Sequence, residues 1–447
     1  MSFSRYPAYK DSGVAWLGEL PAHWNVMALK RIADVQTGVA KGKDHGSRNT
    51  VAVPYLRVAN VQDGYLDLEN VAHMEIPAED LPRYALRQGD VLMNEGGDFD
   101  KLGRGHVWDG QIDPCITQNH VFAVRPRNVS SAWLNAITGS NFTQFYFMTR
   151  SKQSTNLASI SSTNLMELPV ILPPESEQQL ILNYVADQTG KIDALVAEQR
   201  RLMTLLKEKR QAVITHAVTR GLNPDAPMKP SGIEWLGVVP AHWNVIALKR
   251  IADVQTGVAK GKDHGSRTTV AVPYLRVANV QDGYLDLENV ATMEIPAEDL
   301  SRYALRRGDV LMNEGGDFDK LGRGHVWDRQ IDPCITQNHV FAVRPRTVSS
   351  SWVNAITGSN FAQFYFMTRS KQSTNLASIS STNLMELPVI LPPESEQQSI
   401  LTFIADQTAR FDTLTTEAQR AIDLLQERRT ALISAAVTGQ IDVRGAV

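Results

Sequence analysis

Two stretches of this chain carry apolar residues at helical spacing for longer than one globule needs. From Glu175 to Thr219 there is no proline, and Leu195, Leu202, Leu206 and Val213 fall near heptad spacing among Glu198, Arg201, Lys207 and Arg210. That pattern predicts a long amphipathic helix, and Leu414, Ala421, Leu425 and Leu432 predict a second. At about 1.5 Å per residue, roughly 30 helical residues make a rod about 45 Å long. The pattern before the first helix is different. Leu29 to Thr37 is apolar and β-branched, predicting a strand, and the polar run Gly38 to Thr50 predicts an exposed loop. Further strands are predicted at Val51–Val58, Asp90–Met93 and His120–Val124, and a helix at Ser140–Arg150, where Phe142, Phe145, Tyr146 and Phe147 supply bulk for a core.

The whole pattern occurs twice. Residues Lys10 to Thr219 recur, shifted by 219, from Lys229 to Thr438. Between Ala28 and Gln179 the copies differ at only about nine positions, among them Asn49/Thr268, His73/Thr292 and Gln88/Arg307, whereas from Ile181 onward they diverge freely within an apolar pattern. A unit this long is a domain rather than a solenoid repeat of about 20 to 50 residues. After the first helix, Gly221, Pro224 and Pro227 read as a breaker-rich linker. The expected division is a first globule over 1–174, a central helix over 175–220, a linker over 221–233, a second globule over 234–393, and a C-terminal helix with its tail over 394–447. The fold class is α+β: two mixed α/β globules separated by two long helices forming an antiparallel coiled coil, with pseudo-two-fold symmetry.

Composition changes little. The chain of 447 residues is 43% hydrophobic and 21% charged, ordinary values for globular domains. It has neither a signal-like N-terminus nor a run of about 18 apolar residues, so a cytoplasmic protein without membrane contact is expected. Cys115 and Cys334 occupy the same position in the two copies and read as buried, reduced thiols. The net charge of −3 weakly opposes a nucleic-acid partner, but clustering matters more than the total. Each copy gathers its basic residues in short polar segments: Lys41, Lys43, His45 and Arg48; Lys101, Arg104 and His106; Arg150 and Lys152.

Catalytic signatures are missing. There is no GxxxxGK[ST] phosphate loop, no GxGxxG after a strand, and no Asn/Asp-Pro-Pro-aromatic tetrapeptide of amino-methyltransferases. The acidic segment Gly89 to Lys101 lacks an Asp or Glu two residues before the lysine, as a nuclease metal site wants, and reads as a DNA-contacting or structural loop. His45, His106 and His120 have no cysteine neighbours at zinc spacing. No metal site and no catalytic residue is assigned.

The residues resemble the specificity (S) subunits of type I restriction–modification systems. The resemblance spans nearly the whole chain. It rests on Lys10-Asp11-Ser12-Gly13, Trp16-Leu17-Gly18, Pro21 and His23-Trp24; on Ser161 to Leu165 leading to Leu172-Pro173-Pro174 and Glu177-Gln178-Gln179; and on the endings Ala217-Val218-Thr219 and Ala436 to Asp442. It implies that each globule is a target recognition domain reading half of a split DNA sequence, with the coiled coil as a ruler. It also implies modification (M) subunits, two of them, which bring S-adenosylmethionine and the adenine-methylating site, and restriction (R) subunits, which bring ATP-driven translocation and a Mg-dependent nuclease. On that reading the chain itself is not an enzyme and holds no cofactor. The alternative is a self-contained nuclease or methyltransferase with duplicated domains.

The candidate DNA-binding residues are Lys41, Lys43, His45, Arg48, Asn94, Lys101, Arg104, His106, Asn119, Arg150, Lys152 and Asn164, and in the second copy Lys260, Lys262, His264, Arg267, Asn313, Lys320, Arg323, His325, Asn338, Arg369, Lys371 and Asn383. The basic ones suit phosphates or guanine edges; Asn94, Gln118, Asn119 and Asn164 suit adenine. For each residue, phosphate contact, base contact and plain surface exposure stay open. The family usually carries two dissimilar recognition domains. Near-identical ones predict a palindromic target, with Asn49/Thr268 and Gln88/Arg307 as the differences nearest the candidate loops.

Overall fold

The computed structural model describes residues 4–42, 46–62, 64–97, 102–154, 157–261, 265–316, 321–373 and 376–445. They form two compact units, residues 1–199 with 420–447, and residues 200–419. The units cut across the linear division. Each holds one globule, the beginning of the long helix that follows it, and the final turns of the other long helix.

In the first unit the strands are β1 (Ala33–Thr37), β2 (Thr50–Leu56), β3 (Val91–Asn94), β4 (Gly96–Gly97), β5 (Gly105–Val107), β6 (Ile116–Thr117), β7 (Val121–Pro126), β8 (Lys152–Ser154) and β9 (Leu157–Ser159). The central sheet has the order β1-β7-β3-β5 and is antiparallel throughout. Val121 to Val124 is a continuous apolar run, buried on both faces, as a central strand requires. A second sheet pairs β2 with Ala72–Pro77 and, in parallel, with β6. A third has the order β8-β9-β4. Ser130, Ser140 and Ser161 cap the helices Ser131–Thr138, Asn141–Arg150 and Ser162–Met166 by accepting backbone N–H bonds from Trp133, Thr143 and Asn164. The second unit repeats all three sheets with matching register.

One end of the central sheet is locked by a buried ion pair. The guanidinium of Arg125 on β7 donates through Nε and Nη2 to Asp90, at 2.8 and 2.7 Å, and the N–H of Arg87 donates to the same carboxylate at 2.8 Å. Arg344 and Asp309 repeat the fork at 2.7 Å for both bonds. Cys115 and Cys334 are buried and free, and burial pushes each thiol up to about 12.

The long helices span Glu175–Arg220 and Glu394–Val437. Within the first unit they run antiparallel: Glu177 lies beside Arg444 (3.7 Å) and Asp193 beside Arg429 (3.0 Å), so one number rises as the other falls. The seam is not the leucine heptad expected. Leu195, Leu202 and Leu414 are 51%, 42% and 45% exposed, while Ile181, Tyr184, Ile192, Val196 and Leu206, with Ile400, Ile404, Ala418 and Ile422, are buried. The burial face steps by three and four, so aromatic and β-branched residues carry it and several leucines point outward. The last turns reach the globule, where Ala436, Val437, Ile441 and Val443 share a core with Trp24 and Leu168.

Residues 221–233 are no free linker. Met228–Pro230 is a strand paired with Val238–Pro240, and Gly221, at φ +78°, packs against the Trp243 indole. Both features belong to the second unit. Among the described residues, no helix is long and apolar enough to cross a membrane.

Candidate nucleic-acid interface

Strand direction gathers five of the nine described candidates of each copy at one end of its central sheet. In the first unit β1 and β3 finish where β5 and β7 begin, so the segments after Thr37, after Asn94, before Gly105 and before Val121 emerge together. Close approach of two of them needs glycine: a Cβ on Gly38 would sit 2.2 Å from the Gln118 carbonyl oxygen. β8 joins this end because Lys152 lies opposite Ser159, which lies opposite Gly96, two strand spacings of about 4.8 Å each. Lys41 and Lys152 are exposed here, and Arg104, His106 and Asn119 are half-buried. Lys260, Lys371, Arg323, His325 and Asn338 match them in the second unit. Lys43, His45, Lys101, Lys262, His264 and Lys320 lie outside the described residues.

Other described candidates are buried at that end or lie away from it. Asn94 and Asn313 are buried, and their amide groups donate to the carbonyls of Val61 and Val280 at 2.9 and 3.0 Å. They pin a neighbouring turn to the sheet. Asn164 and Asn383 spend their amide N–H on the Arg150 and Arg369 carbonyls, each at 2.8 Å, which ties a helix end to the next short helix. Arg150 is exposed but lines a separate cavity of about 430 Å³ with Trp16, Tyr146 and Glu167; Arg369 is exposed at the corresponding helix end. Arg48 precedes the far end of β2, six residues or about 20 Å from the Leu56–Thr117 pairing, and lies 3.9 Å from Glu79. Arg267 and Glu298 repeat that exposed pair at 3.8 Å.

The same sheet end holds a pair not singled out in the sequence. Glu95 follows β3 and His120 precedes β7; the Glu95 N–H donates to the His120 carbonyl at 2.9 Å, and the side chains approach to 3.6 Å. Glu314 and His339 do the same at 3.7 Å. Burial raises both carboxyls above their ordinary range, and the adjacent histidine opposes that rise. A signal was available: Glu and His each sit one residue outside strands that pair Asn94 with Val121. Burial also holds the His325 imidazole below its usual range, favouring its neutral form, with Asp328 opposing. Three buried polar atoms at this end, Asn94 Oδ1, His106 Nδ1 and Thr117 Oγ1, have no hydrogen-bond partner among the described residues, nor do Asn313 Oδ1, His325 Nδ1 and Thr336 Oγ1.

Between Ala28 and Gln179 the nine differences lie outside the gathered loop segments in sequence. Asn49/Thr268 adjoins the far end of β2, where its backbone carbonyl accepts from Ala78 or Ala297 at 3.0 Å. Gln88/Arg307 precedes the opposite end of β3, and Arg307 Nε donates to Asp328 there at 3.1 Å. Neither is near the gathered loops. Residues 37–42, 94–97, 102–106, 117–121 and 152–154 are identical to their counterparts.

A duplicated mixed globule with a polar, basic loop end, each followed by a long helix, defines a modular recognition protein. The family model for the type I restriction modification DNA specificity domain matches residues 21–199 and again 240–423, and the chain belongs to that family. It is 21% identical over 431 residues to the type I restriction enzyme StySPI specificity subunit of Salmonella potsdam and 20% identical over 431 residues to the EcoKI specificity subunit of Escherichia coli K12. Each comparison covers 95% of this chain and 90% of the relative. Among solved structures, a chain from work on complex assembly and conformational transition of the type I R-M system superposes with a TM-score of 0.64 at 17% identity, covering 94% of this chain and 99% of that one. That likeness concerns the fold.

Proposed function

We propose that the chain is the DNA sequence-specificity subunit of a type I restriction–modification complex, and that its two globules read the same half-site. The observation that carries this is the identity of the two gathered loop ends over residues 37–42, 94–97, 102–106, 117–121 and 152–154 and their counterparts. Identical surfaces recognise identical base patterns, because sequence is read by side chains at groove edges. The antiparallel helices support an inverted order, giving a palindromic target of half-site, unspecified spacer and reverse-complement half-site.

Lys41, Arg104 and Lys152, with Lys260, Arg323 and Lys371, would neutralise phosphates; Asn119 and Glu95, with Asn338 and Glu314, would meet base edges, a carboxylate accepting from a cytosine amino group. Methyl transfer and cleavage would belong to partner M and R subunits, which would bring S-adenosylmethionine, ATP and Mg²⁺. Methylome sequencing of a host expressing this chain with its M subunit tests the reading. Methylated adenines in one inverted-repeat motif are expected, and two unrelated half-sequences would overturn it. The purified chain alone, given DNA, Mg²⁺ and S-adenosylmethionine, should leave the DNA unchanged.

A further inference from the structure

The two units solve the same local problem differently. In the first, the Glu177 carboxylate accepts the indole N–H of Trp24 at 2.8 Å and lies 2.7 Å from His23 Nε2. Arg444 completes the site. Its Nη1 stands 3.7 Å from Glu177, its guanidinium lies 4.7 Å over the Tyr6 ring, and it forks onto Asp442 at 2.9 and 2.7 Å. The Tyr6 hydroxyl faces the same carboxylate at 3.5 Å. Thus enclosed, the Glu177 side chain is 11% exposed.

In the second unit Glu396 keeps the first two partners, Trp243 at 2.8 Å and His242 at 2.6 Å, yet its side chain is 42% exposed. The turn that carries Arg444 is also repeated. The Arg444 N–H donates to the Asp442 side chain at 3.1 Å, and the Asp225 N–H donates to Asn223 at 3.0 Å. The sequence shift places Asp225 at the position of Arg444, so an acid stands where the first unit has its base. Beside Glu396 lies a cavity of about 290 Å³, walled by Leu222, Pro240, Trp243 and Ile400, with Arg220 and His242 also on its lining.

We propose that this cavity receives an arginine side chain from a partner protein, its guanidinium taking on Glu396 the place that Arg444 takes on Glu177. The volume is at the lower limit for small-molecule pockets and suits one long side chain better than a cofactor. Leu222, Pro240 and Ile400 offer apolar walls to the methylene stem, and Glu396 offers the guanidinium a counter-charge, as Glu177 does for Arg444 at 3.7 Å while the paired N–H bonds of Arg444 go to Asp442. On the cavity lining Glu396 faces one fixed cation, Arg220, and Asp225 adds a second carboxylate in the adjoining turn. The tail of a second copy is a poorer occupant, because it would have to leave its own Glu177 site.

The test titrates the full-length chain with a capped peptide copying Ile441 to Gly445, followed by calorimetry and tryptophan fluorescence. One saturable site per chain is expected, lost when the peptide's arginine is replaced by glutamine and weakened at least tenfold by Glu396→Gln, which keeps an acceptor for Trp243. Asp225→Arg supplies the guanidinium within the chain and should abolish peptide binding while raising the melting temperature. No saturation at several millimolar, or equal affinity in Glu396→Gln, would overturn the proposal. Concentration-dependent dimerisation lost in Glu396→Gln would also overturn it, assigning the pocket to a second copy.

Discussion

The Glu95 carboxylate stands 3.6 Å from Nδ1 of His120 at the loop end of the central sheet, and Glu314 and His339 repeat the pair. Burial raises both carboxyls despite the histidine. A group whose pKa rises on folding contributes stability below its unfolded value, about 4.3 for Glu, and that contribution is lost as pH climbs through the folded value. Stability should therefore fall over that interval, and the E95Q/E314Q double variant should lack the step. Urea unfolding from pH 4 to pH 7 on both proteins measures it; parallel profiles would refute the coupling.

Asp90 and Arg125 hold the opposite end of the sheet. Removing the carboxylate leaves Arg125, whose side chain is only 25% exposed, without its partner. Truncating one member of a buried pair costs about 3–5 kcal/mol. D90A should lower the unfolding free energy by about that amount in denaturant titrations, and D309A should do the same in the second unit. A loss below about 1 kcal/mol would mean that the fork is dispensable.

Gly110 has φ +81°, and its counterpart Arg329 takes φ +65°, a conformation that costs a side-chain-bearing residue about 1–2 kcal/mol. Arg329 recovers little through Asp332 at 2.5 Å, since that pair is exposed. R329G should stabilise the second unit by about 1 kcal/mol, readable as a shift in its denaturant midpoint.

Lys41 and Lys260 stand exposed at the gathered loops. If each neutralises one phosphate, K41A/K260A weakens binding to all sequences alike and lowers the salt slope of log K by about two. Fluorescence anisotropy across a salt series decides the point. An unchanged slope places both lysines off the DNA.

Insertion of one turn, about 5.4 Å, into both long helices should lengthen the unspecified spacer by a base pair or so, since a base-pair step is about 3.4 Å. Methylome mapping of the insertion variant would reveal the new spacing. An unaltered spacer would remove the helices from any measuring role.

The elements were more legible than their pairing. Strands and helices followed from local alternation, turn residues and the missing prolines. Asn94 misled because a polar residue beside a loop looks exposed until the Val61 carbonyl, 33 positions away, is brought to its amide. The pairing of Glu95 with His120 has no local trace, because only β3–β7 pairing makes neighbours of residues 25 apart. Leu195 and Leu202 fitted a heptad by identity, yet the buried face was set by Ile192 and Val196, one step round the helix. Contacts that close over long sequence separations leave no local trace, and both the core seam and the candidate surface depend on them.

The return of Ile441 and Val443 to the core around Trp24 sets an order of events during synthesis. The second unit is one uninterrupted stretch, residues 200–419, and all its parts exist once residue 419 has left the ribosome. The first unit, though translated earlier, waits for residues 420–443. Until then its Trp24 side lacks a cover, and a chaperone that guards exposed apolar surface would find its client in the half made first.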